Sequence, residues 1–157
     1  MTITEDLQGK KILIVDDEPD IVESLEEFMD MCDVDTAADF DSAKAMLEAT
    51  DFDAAVLDIM GVDGYGLLKI AVSRNIPAVM LTAHALSADN FVKAMKTGAD
   101  AYVPKDNISD IAFYVADSIR AKEEKAKGPG KWFAKLKPFF DKKFGPGWLE
   151  KYQNIWD

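Results

Sequence analysis

Five apolar runs of strand length, each followed by a stretch with helical spacing, constrain this chain more than any other feature. The segments are Lys11 to Asp16, Asp33 to Ala37, which is a weak strand with only Val34 and Ala37 apolar, Phe52 to Asp58, Pro77 to Thr82 and Asp100 to Val103. After the first run, Pro19 suits the opening turn of a helix, and Ile21, Leu25, Phe28 and Met29 recur at the period of one helical face. Ala43, Met46 and Leu47 do the same within 40–50. A third helix is predicted over 67–74, after the turn Asp63 to Gly66. A fourth runs from the capping Ser87 to about Lys96 with Gly98 as its stop, and a fifth starts at Asn107 and carries Ile108, Ile111, Ala112, Val115 and Ile119 on one face. Strands that alternate with helices pair in parallel, because each helical crossover returns the chain to run in the same direction. The expected class is therefore α/β, and the continuous apolar run ending at Asp58 fits a strand covered on both faces.

In such a sheet, functional groups gather beyond the carboxyl ends of the strands. Those ends carry Asp16 and Asp17 after the first strand, Asp58 after the third, Thr82 after the fourth and Lys105 just past the fifth. Carboxylates packed together repel one another, so without a counter-ion at least one keeps its proton. A hard divalent cation such as Mg²⁺ prefers carboxylate oxygen and relieves that strain. One carboxylate is then free to attack phosphorus, while a hydroxyl and an ammonium serve the remaining phosphoryl oxygens. Each residue alone has an ordinary explanation: a strand-end Asp as cap or turn former, Tyr102 as packing, Lys105 as a solvated charge. Their joint placement is what argues for a site.

The stretches Ile-Val-Asp16-Asp17-Glu18-Pro19, Val-Leu-Asp58-Ile-Met, Asp63-Gly64, Leu81-Thr82-Ala83 and Ala-Tyr102-Val-Pro-Lys105 resemble the motifs of receiver domains of two-component response regulators, over roughly residues 9–125. The resemblance implies a doubly wound, five-stranded parallel sheet in the order 2-1-3-4-5, flanked by helices on both faces. It implies Asp58 as phospho-acceptor, with Mg²⁺ (or Mn²⁺) held by Asp16, Asp17, Asp58 and the backbone carbonyl of Met60. Thr82 and Lys105 would contact the phosphoryl group, and Tyr102 would change exposure as Thr82 moves. Two departures stand out. Only Ile59, Met60, Gly61 and Val62 separate Asp58 from Asp63-Gly64, about two residues fewer than the pattern carries, and Lys105 is followed by Asp106 where the pattern has proline.

Other candidates carry less. Cys32 continues the apolar series of the first helix and is expected as a packing thiol, and His84, the only histidine, is expected in a loop without partners for a zinc site. Residues 1–120 hold 9 Lys/Arg against 24 Asp/Glu, a net −15, which disfavours direct nucleic-acid binding by this body. The N-terminal residues show no apolar targeting segment, and no run is long enough to span a membrane, so a cytoplasmic location is expected. The receiver is expected over 9–127 and a short helical, aromatic and basic extension over 128–157, bounded by Gly128-Pro129-Gly130 and broken again at Gly145-Pro146-Gly147. Residues 121–157 hold 9 Lys/Arg against 5 Asp/Glu, a net +4, and Trp132, Phe133, Leu136, Phe139, Phe140, Trp148, Leu149, Tyr152 and Trp156 have helical spacing, with Pro138 expected to interrupt or restart the helix. About 30 residues cannot bury this surface alone, so it is expected on the receiver of its own or a second subunit, on a partner protein, or on a membrane surface. It is too short for a helix-turn-helix output domain.

Three functions compete. The first is a signalling module that takes phosphate from a sensor histidine kinase or phosphotransfer protein and acts through protein contacts, homodimerisation among them. The second is a Mg²⁺-dependent phosphatase of the haloacid dehalogenase type, which places a nucleophile and a second Asp in Asp-x-Asp on its first strand, whereas here the acidic pair is adjacent and the candidate nucleophile lies on the third. The third is a constitutive scaffold of the same fold acting through its C-terminal extension, favoured only by the short loop after Asp58.

Overall fold

The computed structural model describes residues 3–83, 87–125 and 129–151. The five apolar runs form one parallel sheet in the order β2-β1-β3-β4-β5, made of β1 (Lys11–Val15), β2 (Asp33–Ala37), β3 (Ala54–Asp58), β4 (Ala78–Thr82) and β5 (Ala101–Pro104). The helices are α1 (Ile3–Leu7), α2 (Pro19–Phe28), α3 (Phe40–Ala49), α4 (Gly64–Ser73), α5 (Ala88–Thr97), α6 (Ile111–Glu123) and α7 (Lys131–Phe144), with a 3-10 turn at Lys105–Asp110. Residues Ile12 to Val15 of β1 and all of β3 and β4 are buried, as a parallel sheet covered on both faces requires. β2 is an edge, and its alternating acidic positions Asp33 and Asp35 both meet Lys11.

Register sets the site. Asp58 pairs with Leu81 across β3–β4, and Thr82 pairs with Pro104 across β4–β5, so Asp58, Thr82 and Lys105 step along one edge of the sheet. Local chemistry fixes the turns around them. The Asp39 side chain accepts a hydrogen bond from Ser42 N–H at the start of α3, and Ser87 accepts one from Asn90 N–H at the start of α5. Asp63 sits in the left-handed region and caps α4 through Gly66 N–H.

Several expectations change in detail. α4 begins at Gly64, three residues before the expected start, because the Asp63 cap opens the helix at the glycine. The fifth predicted helix opens as the 3-10 turn, with Asn107 off helical geometry, before α6 proper begins. The short α1 was not expected at all. Cys32 lies beyond the end of α2, half-buried in the turn into β2, with its thiol directed at the Leu7 carbonyl. Phe28, expected inward, is among the exposed apolar side chains, and Leu25 of the helix and Met29 at its C-cap are buried instead. His84, Tyr152, Trp156 and the expected 127/128 boundary lie outside the described residues.

The helix of the C-terminal segment runs unbroken through Pro138 instead of stopping there. Pro138 removes the N–H that would meet the carbonyl of residue 134, and Ala134 and Pro138 are both on the exposed side, where water can satisfy that carbonyl. The opposite side is apolar and buried: Trp132, Phe133, Leu136 and Phe140 lie in the core with Trp148. They meet Phe91 of α5 and Tyr102 of β5, with ring centroids 5.1 Å apart for Phe91–Phe140 and 5.2 Å for Phe91–Trp148. The segment therefore covers the face made by α5, β5 and α6.

If these rings are part of the core, Phe140→Ala leaves a cavity and lowers unfolding free energy by about 3–5 kcal/mol. Phe28→Ala, at an exposed position, should cost about 1 kcal/mol or less. Urea unfolding of the two variants measures both, and equal small losses would mean that α7 is not packed on the sheet.

Candidate functional site

Three strand ends deliver charge to one pocket. Asp16 follows β1 and is buried: its Oδ1 accepts a hydrogen bond from Glu18 N–H at 2.9 Å, and its Oδ2 lies 3.0 Å from Lys105 Nζ. The same ammonium stands 3.2 Å from Asp58 Oδ1 and 2.9 Å from Glu18 Oε1. Only 8% of the Lys105 side chain is exposed, so this cation is held among three carboxylates largely out of water. Such an arrangement holds only because each charge has a partner. All described peptide bonds are trans, including the one into Asp106.

Asp17, Asp58 and Met60 border a pocket of about 200 Å³ together with Glu18, Gly61 and Lys105. Met60 is 55% exposed at its rim. Thr82 is buried at the end of β4, and among the described residues Ala83, next to it, is the one that lines the pocket. Tyr102 is fully buried in β5. Sequence reasoning thus named residues that the fold brings together, with Asp16, Asp58 and Lys105 in direct contact, Asp17 and Met60 on the same pocket, and Thr82 and Tyr102 alongside. Glu18 was not singled out, although it stands in the same acidic run and gives Lys105 its closest carboxylate contact.

The short loop after Asp58 closes tightly on this site. A Cβ on Gly61, where φ is +84°, would lie 2.6 Å from Asp17 Oδ2, and one on Gly64 would lie 2.2 Å from the Asp58 carbonyl oxygen. Glycine at these two positions lets four residues do what a longer loop would otherwise do. Carboxylate oxygens of Asp16, Asp17 and Glu18 all lie within 4.8 Å of one another, beside Asp58. An all-oxygen, carboxylate-rich donor set with an open side suits a hard divalent cation such as Mg²⁺.

Electrostatics mark Asp58. Burial pushes its carboxyl up from 3.8 to about 6, the Asp16 charge adds to this, Lys105 opposes it and Asp17 adds a little more. Burial would lower the Lys105 ammonium, but its hydrogen bonds to Glu18 and Asp16 and the charges of Asp16 and Asp58 outweigh that and hold it above its ordinary value. Burial also pushes the Tyr102 phenol up, while the nearby Thr82 hydroxyl and Ser87 backbone oppose the shift.

The matching family model is the response regulator receiver domain, over residues 12–113. The chain belongs to that family. It is 38% identical over 105 residues to a probable transcriptional regulator ycf27 of Cyanophora paradoxa, a match covering 64% of this chain and 44% of that protein. It is 32% identical over 128 residues to the response regulator protein PilR of Pseudomonas aeruginosa, covering 77% of this chain and 28% of that one. The chain thus spans less than half the length of these curated relatives. Among solved structures, a CheY-like response regulator receiver domain protein from Methanospirillum hungatei superposes with a TM-score of 0.67 at 30% identity, over 75% of this chain and 99% of that one.

A carboxyl whose folded pKa is raised favours the fold when protonated, and that contribution is lost as pH rises through about 6. Asp58→Asn should therefore stabilise the metal-free protein near neutral pH, by up to about 3 kcal/mol for a shift of this size. The gain should shrink towards zero as pH falls to about 4, where the wild-type group is protonated when folded. Denaturant unfolding at the two pH values decides it, and a gain independent of pH would contradict the raised pKa.

Proposed function

We propose that this chain is a phospho-acceptor module of two-component signalling, in which Asp58 takes a phosphoryl group from a sensor histidine kinase or phosphotransfer protein. The observation that carries this reading is the buried Asp58 carboxylate with Lys105 Nζ at 3.2 Å, at a pocket walled by Asp17 and Glu18. An Asp58 oxygen forms the new P–O bond as the donor's P–N bond breaks. Lys105 is placed to hold one phosphoryl oxygen, and the Thr82 hydroxyl, buried and without a partner of good hydrogen-bond geometry, is available to another. Asp16, Asp17, Asp58 and the Met60 carbonyl would hold Mg²⁺ or Mn²⁺, which when bound supplies positive charge against the developing charge on phosphorus. Asp16 also orients Lys105, and the Gly61 loop keeps Asp17 facing the pocket.

The output is a change of shape read by other proteins, without turnover of a substrate. No described helix is long and apolar enough to cross a membrane, and the reading places the protein in the cytoplasm, where its donors work. The acidic body disfavours direct contact with nucleic acid, even though several relatives are named transcriptional regulators.

With acetyl phosphate and Mg²⁺, intact-mass measurement should show one phosphoryl group added to the wild type and none to Asp58→Asn. Undiminished labelling of that variant would move the acceptor elsewhere. Asp17→Asn should raise the Mg²⁺ needed for half-maximal labelling by about 10–100-fold, and an unchanged requirement would remove Asp17 from the ligand set.

A further inference from the structure

Tyr102 is closed in from two sides. Its phenol lies beside the Thr82 hydroxyl and the Ser87 backbone, which both oppose the rise of its pKa. Its ring meets Phe91 edge-on at 5.3 Å and Phe140 of α7 at 6.2 Å, and none of it reaches solvent. While α7 is seated, Phe140 and Phe91 pack against the tyrosine ring and keep it buried.

The seat of α7 is held by a specific contact as well as by apolar burial. Asp117 of α6 is only 4% exposed, and its Oδ2 accepts a hydrogen bond at 2.9 Å from Trp132 N–H in the first turn of α7. The chain enters that contact so closely that a Cβ on Gly130 would lie 2.5 Å from the same oxygen. A carboxylate at the N-terminus of a 14-residue helix gives a first-turn N–H the acceptor that the helix itself cannot supply, and its charge interacts favourably with the positive end of the helix dipole. At the far end, Asp141 accepts a hydrogen bond from Trp148 Nε1 at 2.8 Å and so pins the following turn to the helix.

We propose that α7, latched by Asp117, holds Tyr102 in its inward slot behind Thr82, so that seating of α7 and loading of the acid site with a phosphoryl group strengthen each other. The proposal rests on the phospho-acceptor reading. A phosphoryl group on Asp58 draws the Thr82 hydroxyl towards it, and the space behind Thr82 must then be filled. With α7 seated, Tyr102 is already ordered there, so loading does not bear the cost of ordering it. Binding at the two sites is reciprocal, so loading must tighten the seat of α7 by the same factor.

The test uses the full chain with Mg²⁺ and beryllofluoride as the phosphoryl mimic. The three tryptophans, Trp132, Trp148 and Trp156, all fall in the C-terminal segment, so their emission reports seating. Asp117→Ala and Gly130→Ala attack the latch from its two sides, and the second leaves every side chain of the sheet in place. Each should shift emission to longer wavelength and weaken beryllofluoride binding by about fivefold or more, with saturating beryllofluoride shifting the emission partly back. Asp117→Asn, which keeps an acceptor, should fall between. Released tryptophans with unchanged or tighter beryllofluoride binding overturn the coupling, and unshifted emission in both alanine variants overturns the latch. A wild type whose site takes no beryllofluoride sinks the phospho-acceptor reading, and the coupling with it.

Discussion

A parallel sheet can leave neither face to water, and most of what distinguishes this chain follows from how it meets that demand. Five helices laid over the two faces leave the strand ends as the one place where polar groups can converge without breaking the core. The face formed by α5, β5 and α6 receives a further cover, α7, whose Trp132, Phe133, Leu136 and Phe140 continue the core across the edge of the sheet. The site and the cover are thus neighbours, with Tyr102 touching the cover through Phe140 and reaching Thr82 through its phenol.

Within the crevice, charge is balanced locally. Lys105 meets Asp16, Glu18 and Asp58 within 3.2 Å, which leaves Asp58 under opposing influences: burial and Asp16 favour its proton, Lys105 its charge. A pocket in this condition favours whatever brings further positive charge or redistributes the negative charge, and a divalent cation with a phosphoryl group does both.

The strands β1, β3 and β4 were legible because a fully buried parallel strand must be apolar throughout, and the strand-end residues were legible because that architecture gives their positions a meaning. α1 escaped because Ile3–Leu7 is one turn and a half, too short to show a period. Glu18 escaped because its pairing joins residues 87 positions apart, which no local pattern records. Pro138 was expected to interrupt the helix because the rule assumes that the carbonyl it abandons is buried. Here that carbonyl belongs to Ala134 on the exposed side. The aromatic spacing of the C-terminal segment showed that it needed a surface. Which surface depended on Phe91 and Tyr102 lying side by side, and that is a tertiary fact.

Seating α7 with its rings inward has an electrical result. Lys131, Lys135, Lys142 and Lys143 are left on the outer side of the helix, on a molecule whose residues 1–120 carry a net −15. The cover gathers basic side chains on one flank of an acidic particle, so its charge is unevenly distributed. Such a body does not meet charged neighbours in random orientation. Within about one Debye length, about 8 Å at physiological salt, those lysines attract a negatively charged surface while the acidic remainder of the body repels it.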